Sequence, residues 1–376
     1  MKPTLSYVSM WNAANRNTES GYPFSMREQL RKRFHVVDLF PLEFSDDGLW
    51  MPVRAAYKAA GKYYHPMREP AVLKYLARRI EQHLRAVKPQ AVFAPSSIPL
   101  SFVDAKLPRI FATDQLFCDF VESYIHSPAQ RFIRLGNAQE QRALSGAALA
   151  TFPSEWAAQT AVSQYGADRA KIHVIPWGAN LPQTIAQEDV EAAIKKRPMD
   201  RCNLVFVGRD WARKGGDVLV RTVEALNRAG LPTRATIIGA EPKDLPPHLF
   251  DIHPYLDKGR PEHFAILSSV MLSAHFLFLP SRAEAYGQAF CEAAAFGVPS
   301  IGSAVGGIPT IIREGETGFV RSLETSAPQF AMLIRETLSD RRRYESLAKL
   351  AREDFRQRLN WDSFGDRLND SIAAVM

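Results

Sequence analysis

Cysteine is scarce in this sequence. Cys118, Cys202 and Cys291 are odd in number, far apart and outside any C-x-x-C, so neither a disulfide framework nor a zinc site is implied, and buried thiols are expected. No apolar run reaches the roughly 18 residues that a spanning helix needs. The opening MKPTLSYVSMWNAANRN also lacks the apolar core of a secretory leader, so the expected location is cytoplasmic. Several chemistry-bearing motifs are missing as well. Without a G-x-G-x-x-G after a strand or a G-x-x-x-x-G-K-[ST], a dinucleotide oxidoreductase and a P-loop nucleotidase lose support. There is no D-x-D, and the nearest acidic pair, Asp46-Asp47, falls in an expected surface loop where solvation accounts for both charges. G-x-S-x-G is absent and the histidines are scattered, which leaves hydrolase triads without a basis. No internal repeat or low-complexity segment is present.

What is present is ordinary for a folded protein: 376 residues, 46% hydrophobic and 23% charged, a length that suggests two domains with substantial cores. The net charge of +7 is one-sided. Residues 1–180 carry 22 Lys+Arg against 15 Asp+Glu, whereas residues 181–376 carry 25 of each. Residues 51–90 alone hold nine basic side chains (Arg54, Lys58, Lys62, Arg68, Lys74, Arg78, Arg79, Arg85 and Lys88) against Glu69 and Glu81. With Tyr57, Tyr63 and Tyr64 interleaved, this segment suits an anionic membrane surface at the inner face or an anionic acceptor, with nucleic acid not expected. The same cations also suit the solvated face of a helix whose core stripe is Leu73, Leu76, Ile80, Leu84 and Val87.

Short apolar runs alternate with helical patterns: VVDLF, AVFAP, IFAT, ATFPS, IHVIP, NLVFVG, ATIIG, HFLFLP and SIGSAV. That alternation predicts an α/β protein with parallel sheets wrapped by helices. The polar, proline-flanked WGANLPQTIAQEDVEAAIKKRPMDRC marks the best domain boundary. The closing NWDSFGDRLNDSIAAVM places Trp361, Phe364, Leu368 and Ile372 on one face of a short helix that is free to pack on either domain.

In open parallel sheets ligands sit at the carboxyl ends of strands, so the loops after the runs carry the chemistry. After HFLFLP, Glu284 and Glu292 stand at E-x7-E spacing around a strand-to-helix turn, with the helix starting near Gln288 or Ala289. The first amides of that helix, at Gly287, Gln288 and Ala289, lack intrahelical acceptors and face the same crevice. Paired carboxylates accept from vicinal hydroxyls, as a ribose or hexose offers, although a solvated loop glutamate and a helix-dipole partner fit this spacing equally. After NLVFVG, the loop RDWARKGG sets Arg209 and Lys214 near a helix start, which suits a diphosphate and equally suits two solvated cations. After SIGSAV, Gly306 and Gly307 permit close approach of backbone to a ligand, although glycine pairs are common in turns.

Taken in order, TFPSEWAAQTAVSQYGADRAKIHVIPWGAN, FVGRDWARKGGDVLV, ATIIGAEP, PSRAEAYGQAFCEA, GVPSIGSAVGGIP, EGETGFV and NWDSFGDRL resemble the retaining glycosyltransferases of family 4. The resemblance is strong over residues 150–376 and holds mainly in layout before that. It implies the GT-B fold, two Rossmann-like domains facing a cleft: 1–180 on the acceptor side, 181–358 holding the nucleotide sugar, and 359–376 as a C-terminal helix. Glu284 then resembles the glutamate on donor-sugar hydroxyls and Glu292 the one on the ribose. Tyr286, Gly287, Gln288 and Ala289 fall where backbone amides reach sugar and phosphates. Gly208, Arg209 and Lys214 match the diphosphate loop, with Arg209, Lys214 and Glu284 as the catalytic set. Gly306 and Gly307 join the donor site, and Tyr255 and Leu256 in HPYLDKG fall where the family holds the base. Gly21 and Tyr22 correspond to the first loop on the acceptor side.

The sequence departs from the family at three points: Gly21 stands alone where many members have two glycines, Thr310 replaces a glutamate after the later glycine pair, and Asp114 in IFATDQLF replaces a histidine. Asp114 suits a sugar hydroxyl, a water at the site, or a helix N-cap. The implied reaction moves a hexose from a nucleoside diphosphate sugar to an acceptor hydroxyl on a glycan, lipid-linked or small-molecule acceptor. It would retain configuration by front-face substitution, with no cofactor and no metal. A GT-B epimerase or phosphorylase and a non-catalytic sugar-nucleotide or membrane-surface binding protein are the rival readings.

Overall fold

A computed structural model describes residues 2–44 and 48–376, so Asp46 and Asp47 lie outside the described residues. The chain divides into two compact units, Met1–Pro176 with Phe364–Met376 and Trp177–Ser363. Chain connectivity thus changes unit at Pro176, at the head of the polar stretch, rather than at residue 180. The last helix belongs to the first unit from Phe364 onward.

The first unit contains strands β1 (Thr4–Val8), β2 (His35–Leu39), β3 (Ala91–Ala94), β4 (Arg109–Ala112), β5 (Leu149–Phe152) and β6 (Ile172–Val174) in one parallel sheet of order β2-β1-β3-β4-β5-β6. Its helices are α1 (Tyr22–Arg33), α2 (Trp50–Ala59), α3 (Pro70–Val87), α4 (Phe117–Tyr124), α5 (Gln130–Gly146) and α6 (Glu155–Tyr165). In α3 a proline opens the first turn, Lys88 ends the helix in the left-handed region, and Leu73, Leu76, Ile80 and Leu84 are buried as the sequence pattern requires.

The second unit runs α7 (Gln187–Lys196), β7 (Cys202–Val207), α8 (Gly216–Arg228), β8 (Thr233–Ile238), β9 (Phe250–His253), α9 (Pro261–Ser273), β10 (Phe276–Leu279), α10 (Gln288–Ala295), β11 (Ser300–Ser303), α11 (Ile308–Ile311), β12 (Gly318–Arg321), α12 (Ala327–Leu338) and α13 (Arg341–Gln357). Its parallel sheet has the order β12-β11-β10-β7-β8-β9. Counted from β7 as the first strand, this is the 3-2-1-4-5-6 order of the dinucleotide-binding fold. The final helix, α14 (Trp361–Ala373), buries Phe364, Leu368 and Ile372 completely. From the first unit it takes Ser371 Oγ against His173 Nδ1 at 2.9 Å and an Arg367 bond to the Val174 carbonyl at 2.8 Å.

Both units are therefore Rossmann-like α/β layers. Their central strands are buried on both faces (FLFL in β10, AVFA in β3), which is why they read as continuous apolar runs.

Candidate functional site

In the second unit β7 and β10 are neighbours, but β7 leads on to β8 on one side while β10 leads on to β11 on the other. The chain leaves the two carboxyl ends in opposite directions, which opens the crevice where such sheets take ligands. Glu284 and both predicted cations lie on the two loops that flank it, and Glu292 lies in the helix that follows the second loop.

The loop between β7 and α8 is wound tightly. Gly208 donates to the Ile238 carbonyl at 2.9 Å, and a Cβ there would lie 2.9 Å from Lys214 Cγ, so glycine leaves the lysine side chain room to pass. The amides of Gly215 and Gly216 are engaged by the Ala212 and Trp211 carbonyls at 3.2 and 2.9 Å. What this loop offers an anion is thus side chains, Arg209 and Lys214, rather than those two amides. Lys214 is 8% exposed, and Arg209 is exposed with its guanidinium 4.0 Å from the centroid of the Tyr255 ring.

The second loop, between β10 and α10, is stitched to the first. Arg282 N–H donates to the Arg213 carbonyl at 2.7 Å, and Arg213 Nη1 donates to the Ala283 carbonyl at 2.8 Å. Glu284, placed by these bonds, meets the Lys214 ammonium through Oε2, with Arg213 Nη1 3.8 Å away. Gly306 and Gly307 lie against this same loop. A Cβ at Gly306 (φ +51°) would stand 1.6 Å from the Glu284 carbonyl oxygen, and one at Gly307 2.8 Å from that of Ala285. The close approach these glycines permit is therefore to the backbone that carries Glu284.

Gly287, at φ +101°, caps α10, and Glu292 is the fifth residue of that helix, one turn beyond Gln288. Its carboxylate is 4% exposed and is met through Oε1 by the ammonium of Lys258. The Gln288 side-chain amide is buried with no hydrogen-bond partner among the described residues. Tyr286 turns its side chain inward: its hydroxyl donates to the Trp177 carbonyl at 3.0 Å, and burial raises its pKa well above the usual phenol value. Only the backbone of Tyr286, beside Gly287, Gln288 and Ala289, is left to face a ligand. Cys291, under the same helix, is a buried thiol whose pKa is pushed up to about 12 by burial. On the β9–α9 loop, Tyr255 is half exposed and Leu256 is buried.

The acceptor-side candidates belong to the first unit. Gly21, at φ +89°, caps α1 and follows Glu19 and Ser20, themselves at φ +48° and +55°. Two non-glycine residues in the left-handed region are a backbone cost that tends to persist where function holds it. Burial raises the Tyr22 phenol well above its usual range, with the negative charges of Asp114 and Glu19 adding to the shift. Asp114 follows β4, but the α4 cap is at Leu116, whose N–H donates to Asp119 Oδ2 at 3.3 Å. Asp114 is thus not the N-cap of this helix.

Two residues of the crevice were not singled out from the sequence, Arg213 and Lys258. Arg213 lies within the RDWARKGG loop already selected, and Lys258 is a lone cation between Asp257 and Gly259. Neither spacing shows which carboxylate a lysine or arginine will reach across two loops.

Two Rossmann-like units, one with cations and carboxylates gathered at its switch point, define the class of GT-B glycosyltransferases. Residues 22–182 match the family described as Glycosyltransferase Family 4, and residues 201–340 that described as Glycosyl transferases group 1. The chain belongs to the family 4 glycosyltransferases. It is 28% identical over 241 residues to a D-inositol 3-phosphate glycosyltransferase of Xylanimonas cellulosilytica, covering 57% of this chain and 54% of that one. The chain spans about half the length of the curated relatives it matches. Among solved structures it resembles a sucrose-phosphate synthase from Thermosynechococcus elongatus (TM-score 0.70, 18% identity, 99% of each chain covered). It also resembles Anabaena HepE in complex with UDP (TM-score 0.67, 15% identity, 100% of each chain).

Proposed function

We propose that the protein transfers a hexose from a nucleoside diphosphate sugar to an acceptor hydroxyl, with retention of configuration. The observation that carries this reading is the gathering of Arg209, Lys214 and Glu284 on the loops flanking one switch point, with Glu292 in the helix that follows. Glu284 takes the hydroxyls of the donor hexose and Glu292 those of the ribose, while Arg209, Lys214 and the first amides of α10 take the diphosphate. Tyr255 and Leu256 border the base. The C1–O bond to the diphosphate breaks with its electron pair going to the leaving group, the acceptor oxygen bonds to C1 from the same face, and its proton passes to a diphosphate oxygen. Negative charge grows on the diphosphate as the bond breaks, so Lys214 and Arg209 act most strongly in the transition state. These cations supply the neutralisation with no call on a divalent metal. The solved HepE structures contain UDP and UDP-glucose, which favours a uridine donor, and the curated relatives named for inositol 3-phosphate favour a hydroxyl-rich acceptor.

Nucleoside diphosphate release from UDP-, GDP- and ADP-hexoses tests this reading. Lys214→Ala should lower turnover on the order of 10²-fold or more while changing donor affinity far less. Arg213, which remains beside Glu284, keeps that carboxylate from being stranded. Near-normal turnover in the variant rules out the charge-neutralising role.

The basic segment 51–90 supports a peripheral contact with an anionic membrane. No residue of α2 is buried, and Leu49 and Met51 are 75% and 63% exposed beside the exposed cations Arg54 and Lys58. Such a face combines apolar insertion with attraction to acidic lipid. Arg68 does not share in it, since it turns inward over the Phe117 ring and bonds to Gln139. Among the described residues no helix is long and apolar enough to cross a membrane. Arg54→Glu with Lys58→Glu should reduce sedimentation with phosphatidylserine-containing vesicles, and unchanged partitioning sinks the membrane contact.

A further inference from the structure

The carboxylate proposed for the ribose is already in contact with an ammonium, and that lysine has no assigned role. Lys258 lies on the loop from Pro254 to Arg260, between β9 and α9. The loop is held in shape by its own bonds. Gly259 N–H donates to Asp257 Oδ1 at 2.9 Å, Arg260 N–H to the Asp257 carbonyl at 3.0 Å, and Asp257 N–H to His263 Nδ1 at 3.1 Å. Leu256 anchors it from below, and Tyr255 lies under the Arg209 guanidinium. Lys258 is therefore presented to Glu292 by an ordered turn, so little conformational freedom remains to be lost when a ligand arrives.

The chemistry of the pair is complementary to a vicinal diol. A carboxylate only accepts, whereas an ammonium carries three donors, of which Glu292 uses one. The Lys258 side chain is 29% exposed, so its other donors remain reachable. A neutral diol could not replace the countercharge that Glu292 needs at 5% side-chain exposure, so displacing the lysine would strand a buried charge.

Resting on the nucleotide-sugar reading above, we propose that Lys258 is a donor-binding residue: it stays on Glu292 when the donor binds and donates to a ribose hydroxyl oxygen while Glu292 accepts from the diol. The two residues together select a ribonucleotide over its 2′-deoxy counterpart.

Titration calorimetry on the full chain tests the assignment, with UDP, GDP and ADP and their 2′-deoxy forms as probes against the unaltered protein, Lys258→Met, Lys258→Gln and Lys258→Arg. The neutral variants should bind the best ribonucleotide about 10- to 100-fold more weakly, the loss expected for one charged hydrogen bond. Their preference for ribose over deoxyribose should fall toward unity, and Lys258→Arg should regain most of both. Equal or tighter binding by Lys258→Met would mean that the lysine merely occupies the ribose position, and that overturns the proposal. So does an equal loss for ribo and deoxy ligands, or unfolding of both neutral variants, which would make Lys258 a structural partner only. If no nucleoside diphosphate binds the unaltered protein, the glycosyltransferase reading fails first and the assignment with it. If the unaltered protein binds and only the variant pattern is missing, Lys258 alone is wrong.

Discussion

At the scale of single residues, the crevice pairs each of its two carboxylates with a lysine from another loop, Glu284 with Lys214 and Glu292 with Lys258. The carboxylates, Arg209 and Lys214 were legible because residue type and place in a strand-end loop, or in the helix that opens from it, are enough to nominate them. The pairings were not: Lys214 reaches Glu284 because β7 and β10, separated by two further strands in sequence, are neighbours in the sheet, and Lys258 reaches Glu292 from the β9–α9 loop. Tyr286 makes the same point in reverse. Its motif position suggests a ligand contact, yet its side chain anchors on the Trp177 carbonyl, a partner that no local spacing announces. The glycine pair also gains a physical cause. Gly306→Ala should lose on the order of 3 kcal/mol or more, since a Cβ 1.6 Å from the Glu284 carbonyl cannot be relieved by a side-chain shift and the φ is positive as well. Denaturant unfolding checks this, and an unchanged midpoint would contradict the packing described.

At the scale of elements, the apolar runs fall on β2 to β8, β10 and β11, while β1, β9 and β12 have no such run. β1 is central and buried but reads TLSYV, with Ser6 accommodated through a 3.2 Å contact with His83. β9 and β12 are edge strands of four residues, partly exposed, so their sequences need no continuous apolar run. The start of β10 carries a titratable device. His275 is fully buried, and its Nδ1 accepts from the Asn203 N–H at 2.9 Å, so Nε2 holds the proton and donates to the Pro198 carbonyl at 2.6 Å. A second ring proton would break the first bond, and burial holds the pKa down to about 4. Because this folded-state pKa lies below the unfolded value, the contribution to stability is complete above about pH 6.5 and is lost as pH falls toward 4, by on the order of 3 kcal/mol. NMR titration should find the His275 ring neutral at pH 5.5, whereas a midpoint near 6.5 would refute the constraint.

At the scale of the whole molecule, the alternation of runs and helical patterns was enough to give two α/β halves, since parallel sheets buried on both faces leave that signature in composition alone. The change of unit at Pro176 was only approximately legible. The polar stretch that marks it begins with Trp177, a residue the second unit buries, and continues into α7. The place of α14 was open in the sequence because an amphipathic stripe states that a face is covered and not by what; the covering partners include Gln29, His173 and Val174. The first unit holds nearly all of the excess positive charge, and the second holds the crevice in which Glu284 and Glu292 are each paired with a lysine. A donor that is cleaved in this crevice by front-face substitution should yield sugar of unchanged anomeric configuration. Proton NMR of a UDP- or GDP-α-hexose incubated with the protein and an acceptor alcohol reads this directly. The α-glycoside should be the first product, formed together with nucleoside diphosphate and slowed on the order of 10²-fold by Lys214→Ala. A β-linked first product, or no cleavage of any donor that binds, would contradict the mechanism.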